Sequence, residues 1–575
     1  MAKQAEAGAN EAQSVAEAYL GLLKDRGIDY LYVGAGTDTA PIVEAYAKSN
    51  ESAAYPEPVI ATHENLAVCM AHGHYMVSGR PQAVMLHVSV GAANAVCAVM
   101  NAARSQVPML FTAGRTPLFE SGPLGARNSE IHWGQEMFDQ GGMLRELVKW
   151  DYELRDGRNV GALVDRALNV SLAHPRGPVY LTLPREILAQ QTPLVPMGDR
   201  PAVPAAPAPD KVAVEVLARK LAAAEAPVIV CTASGGEPET MAMLVRLCER
   251  FGIAVAETRP RYTNFPTSHP LHIGFETKRV FALADVVLFL ESEIPWVPTR
   301  GEPDPATFIA HAGTDPLFTR YPVRTHRSDL SITSTISALL PALEEALAAV
   351  GAEQGAAARR AKLMEAAAAE RKRVSDVAAR DEATGGPITK TFLSRCLQAV
   401  RPADSLVLNE YSLERQHVDF DRPGTYFYIA SSAGLGWGLP AALGAQQAAP
   451  DKTVIAVVGD GAYFFANPAV CHHAAAMHRL PVLTIVYNNA AWGAVSQAAL
   501  QLYPKEAAAR HVAAHGTSPL SSLEPMPDLE KYAEASGGYA ERVANRADLI
   551  PALRRALDVV RTEKRQALVN VIGRG

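Results

Sequence analysis

Two short stretches carry the residues with the plainest chemistry. The apolar run Thr453–Val458 ends in Gly459-Asp460-Gly461, and a second run, Val482–Tyr487, ends in Asn488-Asn489. One helical stretch, "PAVCHHAAAMHR", separates them, so the pair reads as a β-α-β unit with both C-terminal strand ends on one edge of a sheet. Open parallel sheets bind ligands beyond that edge, which places Asp460 and Asn489 at one crevice. A carboxylate, an amide oxygen and a nearby backbone carbonyl are hard oxygen donors suited to Mg2+ or Ca2+, and Mg2+ takes its remaining ligands from water and phosphate. The glycines beside Asp460 let the backbone approach that phosphate. The chemistry expected here is a clamp for a metal-bound diphosphate.

The elements that must position such a clamp are regular. Residues 1–190 alternate helical periods ("AYLGLLKDRGI") with apolar runs read as buried strands, among them "YLYVGAG", "AVMLHVSVG" and "GPVYLTLP". Six prolines fall within Thr192–Asp210, so 191–210 reads as an extended linker. The alternation repeats over 211–350, through strands such as "PVIVCTA" and "DVVLFLE". The Ala-, Arg- and Glu-rich segment 351–387 reads as an exposed helical linker stopped by Gly385-Gly386-Pro387, and 388–575 alternates a third time. Strand and helix in alternation imply parallel sheets covered by helices. The expected fold is α/β, with three doubly wound parallel-sheet domains.

Bulk properties narrow the partners. The chain has 575 residues, 54 Lys and Arg against 60 Asp and Glu, and a net charge of −6, with no basic block for a nucleic acid. The N-terminal stretch "MAKQAEAGANEAQSVAEAYLGLL" has no basic region followed by an apolar one, and no run reaches the length of a membrane span. Six cysteines without a C-x-x-C pair favour reduced thiols in a cytoplasmic protein. Small molecules and other subunits are the expected partners.

Gly-Asp-Gly followed by Asn-Asn resembles the thiamine-diphosphate enzymes. The resemblance implies pyrimidine-binding, middle and diphosphate-binding domains, with thiamine diphosphate and Mg2+ as cofactors. It implies metal ligation by Asp460, Asn489 and the backbone carbonyl of Ala491, and cofactor contacts at Ser412, Gly434, Gly459, Gly461 and Ala462. The family spacing between the two motifs is slightly shorter, which points to a small insertion near "FFANPAV". The family also requires a glutamate that hydrogen-bonds the aminopyrimidine. Glu64, after His63 in "VIATHENLAVCM", matches it at the opening of a helix. In "SSAGLGWGLPAALGAQ", Leu435 matches the large aliphatic residue that props the cofactor into its bent form. The resemblance further implies a homodimer or homotetramer, with Glu64 of one chain facing Asp460 of another.

Within the family the chain is similar to the benzoylformate decarboxylase and acetolactate synthase branches. His87, in "LHVSVGAANAV", matches a decarboxylase histidine able to relay protons, and Thr37 in "GAGTDTAP" a small hydroxyl residue near the substrate carboxylate. Ala35 stands where the family usually has proline. Around "LESEIPWVPTRGEP" there is no match to the decarboxylase's second histidine. Gln135, in "WGQEMFDQ", resembles the glutamine of the synthase branch, yet the Gly-Met-rich loop that accompanies FAD there is absent, so bound FAD is not expected. Ala491–Gly538 is expected to cover the substrate, with Trp492 touching it. The implied activity is decarboxylation of a 2-oxo acid to an aldehyde, or carboligation to a 2-hydroxy ketone. The alternatives are a lyase or hydrolase acting on a 2-hydroxyacyl or cyclic diketone substrate, and a non-catalytic cofactor-binding paralogue.

Overall fold

The computed structural model describes residues 13–49, 54–193 and 202–573. The expectations for residues 1–12 and for the centre of the Pro-rich linker, 194–201, lie outside the described residues. The inner strands of three parallel sheets form from apolar runs that are buried on both faces, as strands covered by helices on either side must be, while most of the edge strands are partly exposed.

The first sheet contains β1 (Tyr30–Gly34), β2 (Glu57–Ile60), β3 (Ala83–Leu86), β4 (Met109–Arg115), β5 (Asp151–Glu153) and β6 (Pro178–Pro184), in the order β2-β1-β3-β4-β6-β5. The middle sheet runs β8-β7-β9-β10-β11, from β7 (Pro227–Cys231), β8 (Ala254–Glu257), β9 (Val286–Leu290), β10 (Phe308–Gly313) and β11 (Leu330–Thr333). The last runs β13-β12-β14-β15-β17-β16, from β12 (Leu406–Glu410), β13 (Tyr426–Tyr428), β14 (Val454–Gly459), β15 (Val482–Asn488), β16 (Tyr539–Val543) and β17 (Ala567–Ile572). The first and last sheets turn back at their far edge, where β6 and β17 lie inside β5 and β16, and each of the three orders reverses between β1 and β3, β7 and β9, or β12 and β14. The loops leaving those strand pairs diverge and leave a crevice at the C-terminal edge.

The chain forms two compact units. One holds the first sheet with residues 430–450 and 473–478, and the other holds the middle and last sheets. In the second unit a bridge between Tyr262 and Phe427 and a bond from Tyr428 N–H to the Arg261 carbonyl at 2.9 Å tie the two sheets together. The middle sheet's crevice is occupied by the chain itself: Thr232 and Ser292 hydroxyls meet at 2.7 Å across it, and buried Arg261 donates to Glu293 at 2.6 Å.

Two local expectations need correction. "AVMLHVSVG" is not strand throughout: β3 stops at Leu86, His87 stands at the N-cap position with its side chain turned elsewhere, and helix α2 (Val88–Arg104) follows helix α1 (Glu64–Ser78) in the sheet cover. Val88 makes the turn at φ +28°, a conformation that costs a β-branched residue about 1–3 kcal/mol. The small residues of "GAANAVCAVMNAAR" favour helix and outweigh Val88 and Val90. Likewise, two helices rather than one join β14 to β15. A short α3 (Asp460–Phe465) begins on the aspartate itself and α4 (Pro468–Met477) follows it. Asn467 separates them at φ +56°, in the left-handed region that asparagine enters more readily than most side chains. No helix among the described residues is long and apolar enough to cross a membrane. The six cysteines form no disulfide, and all but Cys97 are buried.

Candidate active site

The second unit gathers Ser412, Gly459, Asp460, Gly461, Ala462, Asn489, Ala491 and Trp492 at the crevice between β12 and β14. Asp460 is 3% exposed. Its Oδ1 accepts from Gly461 N–H at 2.7 Å and its Oδ2 from Asn489 N–H at 3.1 Å. Burial pushes the Asp460 carboxyl upward, against the pull of backbone N–H groups from Gly461 and from Asn489 to Ala491. A cation at this point would restore what burial removes from the carboxylate.

The geometry fits such a cation. After Asn489 the chain turns through Ala490 at φ +54°, which returns the Ala491 carbonyl toward Asp460. The Asn489 amide oxygen faces Asp460 Oδ2 at 3.3 Å and the Ala491 carbonyl at 2.9 Å. Adjacent ligands of an octahedral ion bound at about 2.0–2.1 Å lie about 2.9 Å apart. Turned over, the amide would instead donate its NH2 to both oxygens, so the trio is satisfied either by that flip or by a cation. Bonds from Trp492 N–H to Ser521 O and from Leu523 N–H to Ala490 O, both 2.8 Å, latch this loop in place.

Ser412 is buried against Gly459, where an added Cβ would lie 3.4 Å from its Oγ, and its N–H donates to Asn409 Oδ1 at 3.2 Å. One cation at this edge escaped the sequence reading. Lys390 Nζ donates to the Tyr411 carbonyl at 3.3 Å and lies 5.5 Å from the Tyr487 ring centre. Burial lowers its pKa, and Glu414 and Asp460 oppose that fall. A lysine at the start of an amphipathic helix reads as a surface residue, and only the β12 turn reveals its place.

Trp492 lies over Gly461, where a Cβ would come within 2.7 Å of its Cδ1. Gly461→Ala is therefore expected to displace the indole, which a change in tryptophan emission and a several-fold weaker cofactor titration would report. His511 and His515 stack on each other at 4.2 Å on the helix Ala507–His515, and neither meets the predicted metal ligands.

The first unit gathers the remaining predicted residues. Glu64 opens α1, capped by His63, whose Nδ1 accepts from Asn65 N–H at 3.2 Å. Its carboxylate accepts from Asn94 Nδ2 at 3.0 Å. Gly91 at the start of α2 lies against both Glu64 and His87: an added Cβ would sit 3.6 Å from Glu64 Cγ and 3.5 Å from His87 Cβ. His87 Nε2 meets the Gln135 side-chain nitrogen at 3.2 Å, and the Gln135 carbonyl accepts from Ser89 Oγ at 2.7 Å. Next to Gln135, Glu136 accepts from Arg115, Thr116 and Arg127, at 2.6, 2.6 and 2.5 Å, which anchors this loop to the end of β4. Thr37 is exposed, and its carbonyl accepts from Arg185 at 3.3 Å.

Leu435 belongs to this unit too. Asn101 on α2 holds Gly434 with two bonds, 2.7 Å to its carbonyl and 3.1 Å from its N–H, and Asn65 donates to the Gly436 carbonyl at 3.3 Å. Leu435 is thus carried between the first turn of α1 and the last turn of α2. The sequence reading missed Asp38, whose carboxylate is hydrogen-bonded to His87 Nδ1.

Comparison with known proteins identifies relatives along the whole length of the described domains. Three family models match in chain order: "Thiamine pyrophosphate enzyme, N-terminal TPP binding domain" over residues 13–143, the central domain over 214–343 and the C-terminal TPP binding domain over 411–571. Together they take in well over half of the chain. Benzoylformate decarboxylase of Pseudomonas aeruginosa is 27% identical, over 93% of this chain and 95% of that one. The acetolactate synthase large subunit of Corynebacterium glutamicum is 24% identical, over 97% and 87%. The sulfoacetaldehyde acetyltransferase of Rhodobacter capsulatus is 25% identical, over 83% and 82%. Among solved structures, a thiamine diphosphate-dependent 4-hydroxybenzoylformate decarboxylase of Rhodococcus jostii RHA1 shares the fold, with a TM-score of 0.77, 22% identity and coverage of 98% and 99%. With its two switch-point crevices and its three matched domains, the chain belongs to the thiamine pyrophosphate enzymes.

Proposed function

We propose that this protein uses thiamine diphosphate and Mg2+ to break or make the carbon–carbon bond next to a carbonyl, starting from a 2-oxo acid. The product is the aldehyde or, with a second carbonyl compound, a 2-hydroxy ketone. One observation carries the reading: an imidazole able to move protons, His87, stands beside Glu64 at one strand edge in a chain of this family. Its relatives named above, a 2-oxo acid decarboxylase and a synthase, support the same chemistry.

Asp460, Asn489 and the Ala491 carbonyl hold Mg2+, and Ser412, Gly434, Gly459, Gly461 and Ala462 contact the cofactor. Glu64 would exchange a proton with the aminopyrimidine of a bound cofactor, and Leu435 would support that cofactor. When bound, the cofactor supplies an electron sink for the carbanion left as the bond breaks. His87 delivers or removes a proton at the reacting carbon, while Thr37, Gln135 and Trp492 line the substrate. Residues 1–190 take the pyrimidine end and 388–575 the diphosphate end, in a cytoplasmic homodimer or homotetramer.

The test is incubation with thiamine diphosphate, Mg2+ and a panel of aliphatic and aromatic 2-oxo acids, with and without an acceptor aldehyde, followed by CO2 release and product mass. Release that depends on Glu64 is expected. Silence across the panel with cofactor bound would contradict the reading and direct assays to 2-hydroxyacyl and cyclic diketone substrates.

A further inference from the structure

Asp38 lies in the 3-10 turn Thr37–Thr39 that follows β1, and His87 follows β3, so the two come from the strands on either side of the first sheet's crevice. Asp38 is 2% exposed, and its carboxylate bonds to His87 Nδ1. Space for the pair is made by two glycines far apart in sequence. An added Cβ at Gly36 would overlap the His87 ring, and one at Gly114 on β4 would overlap the Asp38 carboxylate. Burying a carboxylate is costly unless it is paired and hydrogen-bonded, and here both the backbone and the glycine positions are shaped around that pairing.

The far side of the ring meets Gln135, at 3.2 Å from Nε2 to the amide nitrogen, while the buried Gln135 Oε1 has no hydrogen-bond partner. A neutral ring with its proton on Nδ1 accepts from the Gln135 NH2 at Nε2. A protonated ring needs the amide turned, so that Oε1 accepts. Gln135 can therefore follow the charge of the ring.

We propose that Asp38 is the positioning residue of an Asp38–His87–Gln135 proton relay, holding one proton on His87 Nδ1 so that Nε2 is the atom that exchanges a proton with the reacting carbon. This rests on the function proposed above. In the forward direction Nε2–H would give its proton to the reacting carbon, the ring would become neutral with Nδ1–H still bonded to Asp38, and a proton taken up from solvent would recharge Nε2.

The charged and titratable groups around the pair are Glu64 on α1, His132 on the loop carrying Gln135, Arg185 after β6 and Tyr180 within it. The Asp38 hydrogen bond raises the His87 pKa above the ordinary histidine value, against the lowering effect of burial, with Glu64 adding to the rise. Removing the Asp38 charge leaves burial to act with less opposition, so the His87 pKa must fall. Activity that needs protonated His87 is then lost at lower pH.

The test uses the full chain loaded with thiamine diphosphate and Mg2+, comparing the native protein with Asp38→Asn. Nitrogen-15 NMR of labelled histidine, assigned with His87→Gln, is expected to show His87 as the Nδ1–H tautomer titrating at raised pH, and to show that titration moved downward in Asp38→Asn. The kcat–pH profile should lose its alkaline limb at correspondingly lower pH, with kcat reduced about 10–100-fold, as for other residues that orient a histidine. Cofactor affinity and thermal midpoint serve as controls for folding. An unchanged His87 titration in folded, cofactor-loaded Asp38→Asn overturns the proposal, and so does a variant that loses rate with the native pH profile. A moved titration in a protein that releases no CO2 from any 2-oxo acid would overturn the reaction assignment instead.

Discussion

Glu64→Gln is expected to lower turnover by about 10²–10⁴-fold, the usual contribution of a positioned acid or base, while thiamine diphosphate stays bound. The carboxylate stands at the first turn of α1 with one oxygen held by Asn94 and the backbone of Gly91 close by. Glutamine fills the same space but can neither give up nor accept the proton that a carboxyl exchanges. Asn94, an amide, cannot replace it. Steady-state rates with a responsive 2-oxo acid, set beside a fluorescence titration of the cofactor, separate the two effects. A parallel loss of binding would make Glu64 a structural acid at a helix start instead.

Asp460→Ala is expected to cost more than the about 10–100-fold that loss of a metal ligand's outer partner typically costs. The substitution removes the carboxylate on which Asn489 N–H and Gly461 N–H converge, leaving two of the three oxygens facing each other without a charge to share. Titrating thiamine diphosphate with and without Mg2+, read by tryptophan emission near Gly461, measures this. The native protein should gain strongly from Mg2+ and lose that gain to a chelator, whereas Asp460→Ala should show neither response. Equal Mg2+ dependence in both would remove Asp460, Asn489 and Ala491 from the metal site.

Much of this arrangement was legible in the sequence because it lies at strand ends. Long β-branched runs that stop at Gly-Asp or Asn-Asn mark both the strand and the residue it delivers, which is how Asp460 and Asn489 were found. Asp38 was not legible: it follows Thr37 in a glycine-rich loop, and its partner His87 and its space beside Gly114 come from later strands. Lys390 was hidden by the ordinary look of its helix. The break at His87 was hidden for a local reason, since Val88 and Val90 favour strand while the small residues after them favour helix. Leu435 was read as the cofactor's prop, but its attachment to α1 and α2 through Asn65 and Asn101 depends on side chains more than 300 positions away.

The central claim is that Glu64 activates thiamine diphosphate in this protein, whatever the substrate. It is tested most directly by the rate at which the C2 hydrogen of the bound cofactor exchanges in D2O with Mg2+ present, quenched in acid and read by proton NMR. The account predicts exchange much faster than in free cofactor for the native protein and a return to near the free rate in Glu64→Gln with cofactor still bound. Native protein that holds the cofactor and Mg2+ without accelerating exchange would contradict it.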